Sequence, residues 1–210
     1  MQNLIELNAH CRRVLGALLE KEQTTPDYYP LTLNALITAC NQTTNRNPVM
    51  SMERYEVLRA LHALEREHLV QRETGPRADR WSHLLIQPRY SRPPAKALLT
   101  VLILRGSQTI GELKARTDRM HAFESLESVE EQLRGLAEGD PPLVRELPKQ
   151  PGQKESRWQL ALDADVDDEL PVPVVRKPEP VSPESGGEES LEDRVRKLEE
   201  QVAEILRRLE

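Results

Sequence analysis

Apolar positions along the chain recur twice in the same order. In a first block, Val14, Leu15, Leu18 and Leu19 repeat at the three- and four-residue spacing of a helix face, and T-L-N-A-L follows from Thr32 to Leu36. Leu58, Leu61 and Leu64 mark another helix, Leu69-Val70 reads as the start of a strand, and the chain returns at Arg80-Trp81. In a second block a helix carries Leu98, Leu99, Leu102 and Ile103, T-I-G-E-L runs from Thr109 to Leu113, and the next helix carries Leu126, Val129, Leu133 and Leu136. Leu143-Val144 and a return at Arg157-Trp158 complete that copy. Spacing between the copies drifts from element to element, as loop-length variation produces.

Local signals agree with this order. Thr109 and Glu112 have the spacing of a capping box, and Ser51 and Ser125 are the expected N-caps of the third helix of each copy. Thr74-Gly75-Pro76 in one copy, and Pro148 with Pro151-Gly152 in the other, separate two extended runs, so each block ends in a β-hairpin. Three helices followed by a hairpin is the winged-helix arrangement. The expected fold is therefore mainly α with small β-hairpins (α+β): tandem winged-helix domains at residues 1–90 and 91–162.

Between the second and third helices of the first copy lies NQTTNRN, where the apolar face of Leu33, Leu36, Ile37 and Cys40 gives way to short polar side chains. Asn and Thr routinely bond the loop backbone, and Asn47-Pro48 stops the chain from continuing as helix. Arg46 is the residue that a purely structural loop explains least well. The long string TTPDYYPLTLNALITACNQTTNRNPVM, with the helix and the R-W hairpin that follow it, resembles the YceH family of bacterial proteins over residues 1 to about 162. That resemblance implies paired winged-helix domains. It implies no established activity and brings no catalytic residues.

Past residue 162 the composition shifts to Asp, Glu, Pro, Val, Ser and Gly, with Pro171, Pro173, Pro178, Pro180 and Pro183. Residues 163–189 are thus expected to be a disordered acidic linker. In residues 190–210 the positions Leu191, Val195, Leu198, Val202, Ile205 and Leu209 follow a heptad, which predicts a C-terminal coiled-coil helix and a homodimer.

Aromatic residues make up 3% of the chain, so the core must be built from aliphatic side chains, which favours helices. The formal charge of −6 is unevenly placed: the first two blocks hold 11 Lys and Arg against 10 Asp and Glu each, and the tail holds 7 against 15. Two cysteines are too few for a disulfide framework, and the start of the chain lacks a signal-peptide pattern. A cytoplasmic protein without membrane attachment is expected.

Catalytic signatures are missing. There is no G-x-S-x-G, no phosphate-cradling glycine loop and no H-E-x-x-H, while His62 and His68 point about 120° apart on one helix. Cys40 continues an apolar helix face as a small buried thiol does. No enzyme, metal or cofactor is expected.

Two partners remain, double-stranded DNA and another protein. For DNA the candidate contacts are Asn45 and Arg46 in the loop, Arg54 and Arg59 on the third helix, Arg77 and Arg80 on the first hairpin, and Lys149 and Lys154 on the second. Against this stand Glu53, Glu56, Glu65 and Glu67 around the first third helix, and Glu124, Glu127, Glu130 and Glu131 around the second, where a basic protein partner fits better.

Overall fold

In a computed structural model the described residues are 7–149 and 151–161. The expected linker and heptad helix, with Leu191, Val195, Leu198, Val202, Ile205 and Leu209, lie outside them. The fold is α+β, helical with small antiparallel sheets.

Helix α1 (Ala9–Thr24) starts at Asn8, whose side chain accepts from the N–H of Cys11 at 2.9 Å. A short 3₁₀ turn (Pro26–Tyr28) and strand β1 (Leu31–Thr32) lead to α2 (Leu33–Cys40). Helix α3 (Arg54–Arg66) and the hairpin of β2 (Val70–Glu73) and β3 (Arg80–His83) end the first copy. After a single helical turn, α4 (Pro88–Ser91), the second copy runs through α5 (Pro93–Arg105), α6 (Ile110–Thr117), α7 (Leu126–Ala137) and the hairpin of β4 (Val144–Leu147) and β5 (Arg157–Leu160).

The repeated T-L-N-A-L and T-I-G-E-L strings do the same work in both copies. Thr32 caps α2 by accepting from Ala35 N–H at 3.3 Å, and Thr109 caps α6 by accepting from Glu112 N–H at 3.2 Å. The residue before each threonine pairs antiparallel with the tryptophan of the returning strand: Leu31 with Trp81, and Gln108 with Trp158. Both indoles are buried, as their strand positions predict. Ser125 caps α7 as expected. Ser51 does not cap α3: the helix begins three residues later, and the Glu56 carboxylate accepts from the Glu53 N–H at 2.8 Å.

The first helices of the two copies, α1 and α5, pack against each other, and the buried aliphatic residues of both blocks form one continuous cluster. Gly16 makes this approach possible. A Cβ there would lie 2.7–2.8 Å from side-chain atoms of Leu104 and Ile103. Burial of α5 almost all round follows from its position, with α1 against one side and α6 and α7 against others.

Polar contacts lock the same seam. Gln23 donates to the Thr100 hydroxyl at 3.1 Å, and Glu22 accepts from Lys96 at 2.6 Å and from buried His83 at 2.9 Å. The His83 bond, with Lys96 beside it, outweighs partial burial and holds the Glu22 carboxyl down at about 2. Tyr29 of the TTPDYYP segment packs on the core and accepts from the His83 N–H at 2.7 Å, while Tyr28 is exposed. Among the described residues no helix is long and apolar enough to cross a membrane.

Candidate nucleic-acid interface

The loop after α2 faces inward. Asn41 donates to the Met52 carbonyl at 2.9 Å and accepts from the Met52 N–H at 2.7 Å, closing the loop on itself. Arg13, itself buried, donates to the carbonyls of Cys40 and Pro48.

Arg46 corrects a sequence expectation. Its side chain has no exposed surface; it forms a two-pronged pair with Glu20 of α1 at 2.7 and 3.2 Å and donates to the Ala39 carbonyl at 2.8 Å. A guanidinium so placed holds the end of α2 to α1 and is not presented to a nucleic acid. Asn45 is half-buried and lines a crevice with Glu20, Arg105 and Arg119, its backbone in the left-handed region at φ 58°. Asn47 then bonds the second copy, its N–H donating to the Leu104 carbonyl at 2.9 Å and its side chain to that of Arg105 at 3.3 Å. The NQTTNRN segment is a staple across the α1–α5 seam.

The remaining first-copy candidates stay on the surface. Arg54, Arg59 and Arg77 are exposed, as is Arg80. Some are already engaged: Arg54 donates to the Asn34 side chain at 3.2 Å, and Arg80 to the Pro30 carbonyl at 2.7 Å. Arg72, over the Trp81 ring, pairs with Asp79. Arg59, Arg66 and Arg77 have no hydrogen-bond or ion-pair partner among the described residues.

Helix geometry separates charges that looked mixed in the sequence. At about 100° per residue, Tyr55, Arg59, His62 and Arg66 fall within about 60° of one another, diametrically opposite the buried Val57, Leu61 and Leu64. All four stripe residues are exposed, Tyr55 by 61%. Glu53, Glu56, Glu65 and Glu67 sit on the flanks, at least about 60° beyond the edges of that stripe. A groove between α2, α3 and the hairpin, lined by Asn34, Arg54, His62 and Arg72, borders it. Sequence reading alone names Arg54, Arg59, His62 and Arg66 as exposed on this helix without separating them from its carboxylates, and it gives Tyr55 no role. The signal was present in the 4, 3, 4 spacing of residues 55, 59, 62 and 66.

The matching stripe on α7 has the opposite sign. Val129, Leu133 and Leu136 bury as Val57, Leu61 and Leu64 do, which sets Glu127, Glu131, Arg134 and Glu138 in the places of Tyr55, Arg59, His62 and Arg66. Arg134 is paired with Glu130 one turn back. Lys149 and Lys154 are exposed in the connection between β4 and β5, away from this stripe in sequence.

Neither cysteine lies on these surfaces. Burial pushes the Cys40 thiol up to about 12, and Cys11 is raised by the same cause, so both are thiols at neutral pH. Among the described residues no cluster of His, Cys, Asp or Glu side chains could hold a metal ion.

Comparison with known proteins bears on the same stretch of chain. A family described as "Protein of unknown function, DUF480" matches residues 7–153. A UPF0502 protein of Geobacter sulfurreducens is 51% identical over 156 residues, 74% of this chain and 71% of the relative. A UPF0502 protein of Pelobacter propionicus is 44% identical over 200 residues, covering 95% and 90%. One from Solibacter usitatus is 43% identical over 206 residues, covering 98% and 95%. With the helices of both blocks and the first hairpin inside the matched residues, the chain belongs to the family of uncharacterised bacterial proteins designated DUF480 and UPF0502.

Proposed function

We propose that this is a non-enzymatic, DNA-associated protein made of two winged-helix units on a shared core, and that its family is the YceH family which residues 1 to about 162 resemble. Helix α3 is the element presented to the major groove, and the β2–β3 hairpin is the wing that touches phosphates. The observation that carries this reading is the α3 stripe: Arg59, His62 and Arg66 with Tyr55, outward and without a carboxylate on the line. Free cations on one ridge attract a polyanion far better than the same number mixed with carboxylates. In the second unit α7 serves as support, because Glu127, Glu131 and Glu138 repel phosphate. Pairing of residues 190–210 between two chains would present two α3 helices to a palindromic target.

Titrating duplex DNA across a salt series tests the reading. Affinity falls with salt, and changing the wing residue Arg77 to Ala lowers the log-log slope by about 1. Absence of binding at low salt, or an unchanged slope in the Arg77→Ala variant, would overturn it.

The acidic α7 stripe favours a second reading, an adaptor that docks a basic protein segment there and another chain through its C-terminal residues. Charge reversal at Glu131 and Glu138 distinguishes the two readings. It abolishes capture of a basic peptide if the adaptor account holds and leaves duplex affinity undiminished if the DNA account holds.

A further inference from the structure

We propose that Arg59 and Arg66 are specificity-determining residues, selecting two guanines about two to three base pairs apart on one face of the major groove. The inference rests on the DNA reading above and adds what the interface recognises. The arginines of the first unit divide by prior commitment. Arg46 is enclosed with Glu20, Arg54 is held by Asn34, Arg72 by Asp79 and Arg80 by the Pro30 carbonyl. A guanidinium whose donors are already turned to protein acceptors is poorly disposed to approach a base edge with both prongs.

Arg59 and Arg66 are exposed and have no such partner among the described residues. They stand on one line of α3 two turns apart, a rise of about 10.5 Å along the helix. Base pairs follow one another at about 3.4 Å along the duplex axis, and the path along the groove is somewhat longer, so two turns of helix cover two to three steps. The arginine fork matches the O6 and N7 acceptors of guanine, a pair presented together by no other base in that groove. His62 lies between them, and Tyr55 extends the line at the N-terminal end. The second unit cannot read in this way, since Glu131 and Glu138 stand at the corresponding places.

The test is selection of duplexes from a randomised library by the full chain, followed by affinity measurements on single-base variants of the selected site. Two guanines at the stated separation are expected. Arg59→Ala should remove the preference at one of them and Arg66→Ala at the other, each reducing discrimination by roughly ten- to a hundredfold with little change for duplexes lacking that guanine. Arg59→Lys keeps the charge and should lose discrimination while retaining salt-dependent binding. Selected pools without base preference, or variants that weaken all duplexes equally, would overturn this inference while leaving DNA binding intact. No binding by the wild-type chain at low salt would remove both. The substituted positions are exposed, and an unchanged unfolding transition verifies that each variant is folded.

Discussion

Replacing Arg46 by Ala separates a loop built to hold the protein together from a loop built to touch a ligand. In the fold, the change leaves the Glu20 carboxylate, only 3% exposed, without its two-pronged partner, and frees the Ala39 carbonyl at the last turn of α2. Opposite unit charges about 4 Å apart attract by roughly 4 kcal/mol at an effective dielectric near 20, but removing both from water offsets much of that gain. What counts is the charge left behind. Truncating one member of a buried pair costs about 3–5 kcal/mol. Lys21 at 3.6 Å and Arg119 at 3.8 Å still neutralise Glu20 in part, so the lower end, about 3 kcal/mol, is expected. That is a large share of the roughly 5–15 kcal/mol that stabilises a domain.

Urea unfolding followed by circular dichroism reads the effect as a midpoint lower by about 1–3 M with an unchanged slope. A Glu20→Leu, Arg46→Met double variant, which removes the buried pair at similar volume and leaves Lys21 and the exposed Arg119 to solvent, should recover much of the loss. The pH dependence has a definite sign. Burial raises the Glu20 carboxyl, and the Arg46 bonds together with Arg46, Lys21 and Arg119 charge bring it below its ordinary range in the wild type. A depressed native value gives stability that is present above the ordinary carboxylate range and lost as pH falls through the native one. Without Arg46 the balance moves toward burial, so lowering the pH from about 7 to 4 should relieve part of the variant's deficit. A cost below about 1 kcal/mol, or a loss of DNA affinity with no change in midpoint, would refute the reasoning.

Three further outcomes follow, two from the fold and one from the heptad spacing of residues 190–210. Gly16→Ala should destabilise by about 1–3 kcal/mol in the same urea assay, because its Cβ meets Leu104 and Ile103, whereas Gly135→Ala on open α7 surface should stabilise by about 0.4–1 kcal/mol. Glu22→Gln should lower the melting temperature at neutral pH and flatten its acid limb, since a carboxyl held at about 2 contributes stability above about pH 4.3 that is lost as pH falls toward 2. Melting curves taken from pH 7 to 2 that run parallel for both proteins would contradict this. Removing residues 190–210 should convert a dimer to a monomer, measured as mass by light scattering.

The order of apolar positions was enough to mark the three main helices and the hairpin of each copy. Periodicity is local: Leu58, Leu61 and Leu64 mark a helix wherever it lies, although the fold buries Val57 and leaves Leu58 half-buried; Thr109 with Glu112 caps from within four residues, and Trp81 and Trp158 fall where two extended runs return. Most of the surface candidates, Arg54, Arg59, Arg77 and Arg80, were also legible there, because they occupy polar positions of those same elements. Tertiary structure decided the rest. Whether Arg46 reaches outward depends on Glu20, distant in sequence, and the short β1 is recognisable only once Trp81 lies beside Leu31. The sign of each outer helix face depends on which carboxylates turn to the flanks, a property of orientation and not of composition. Pairing between elements is a long-range event with no local trace, so the seam of α1 and α5, with Asn47 stapled across it, belongs to the folded chain alone.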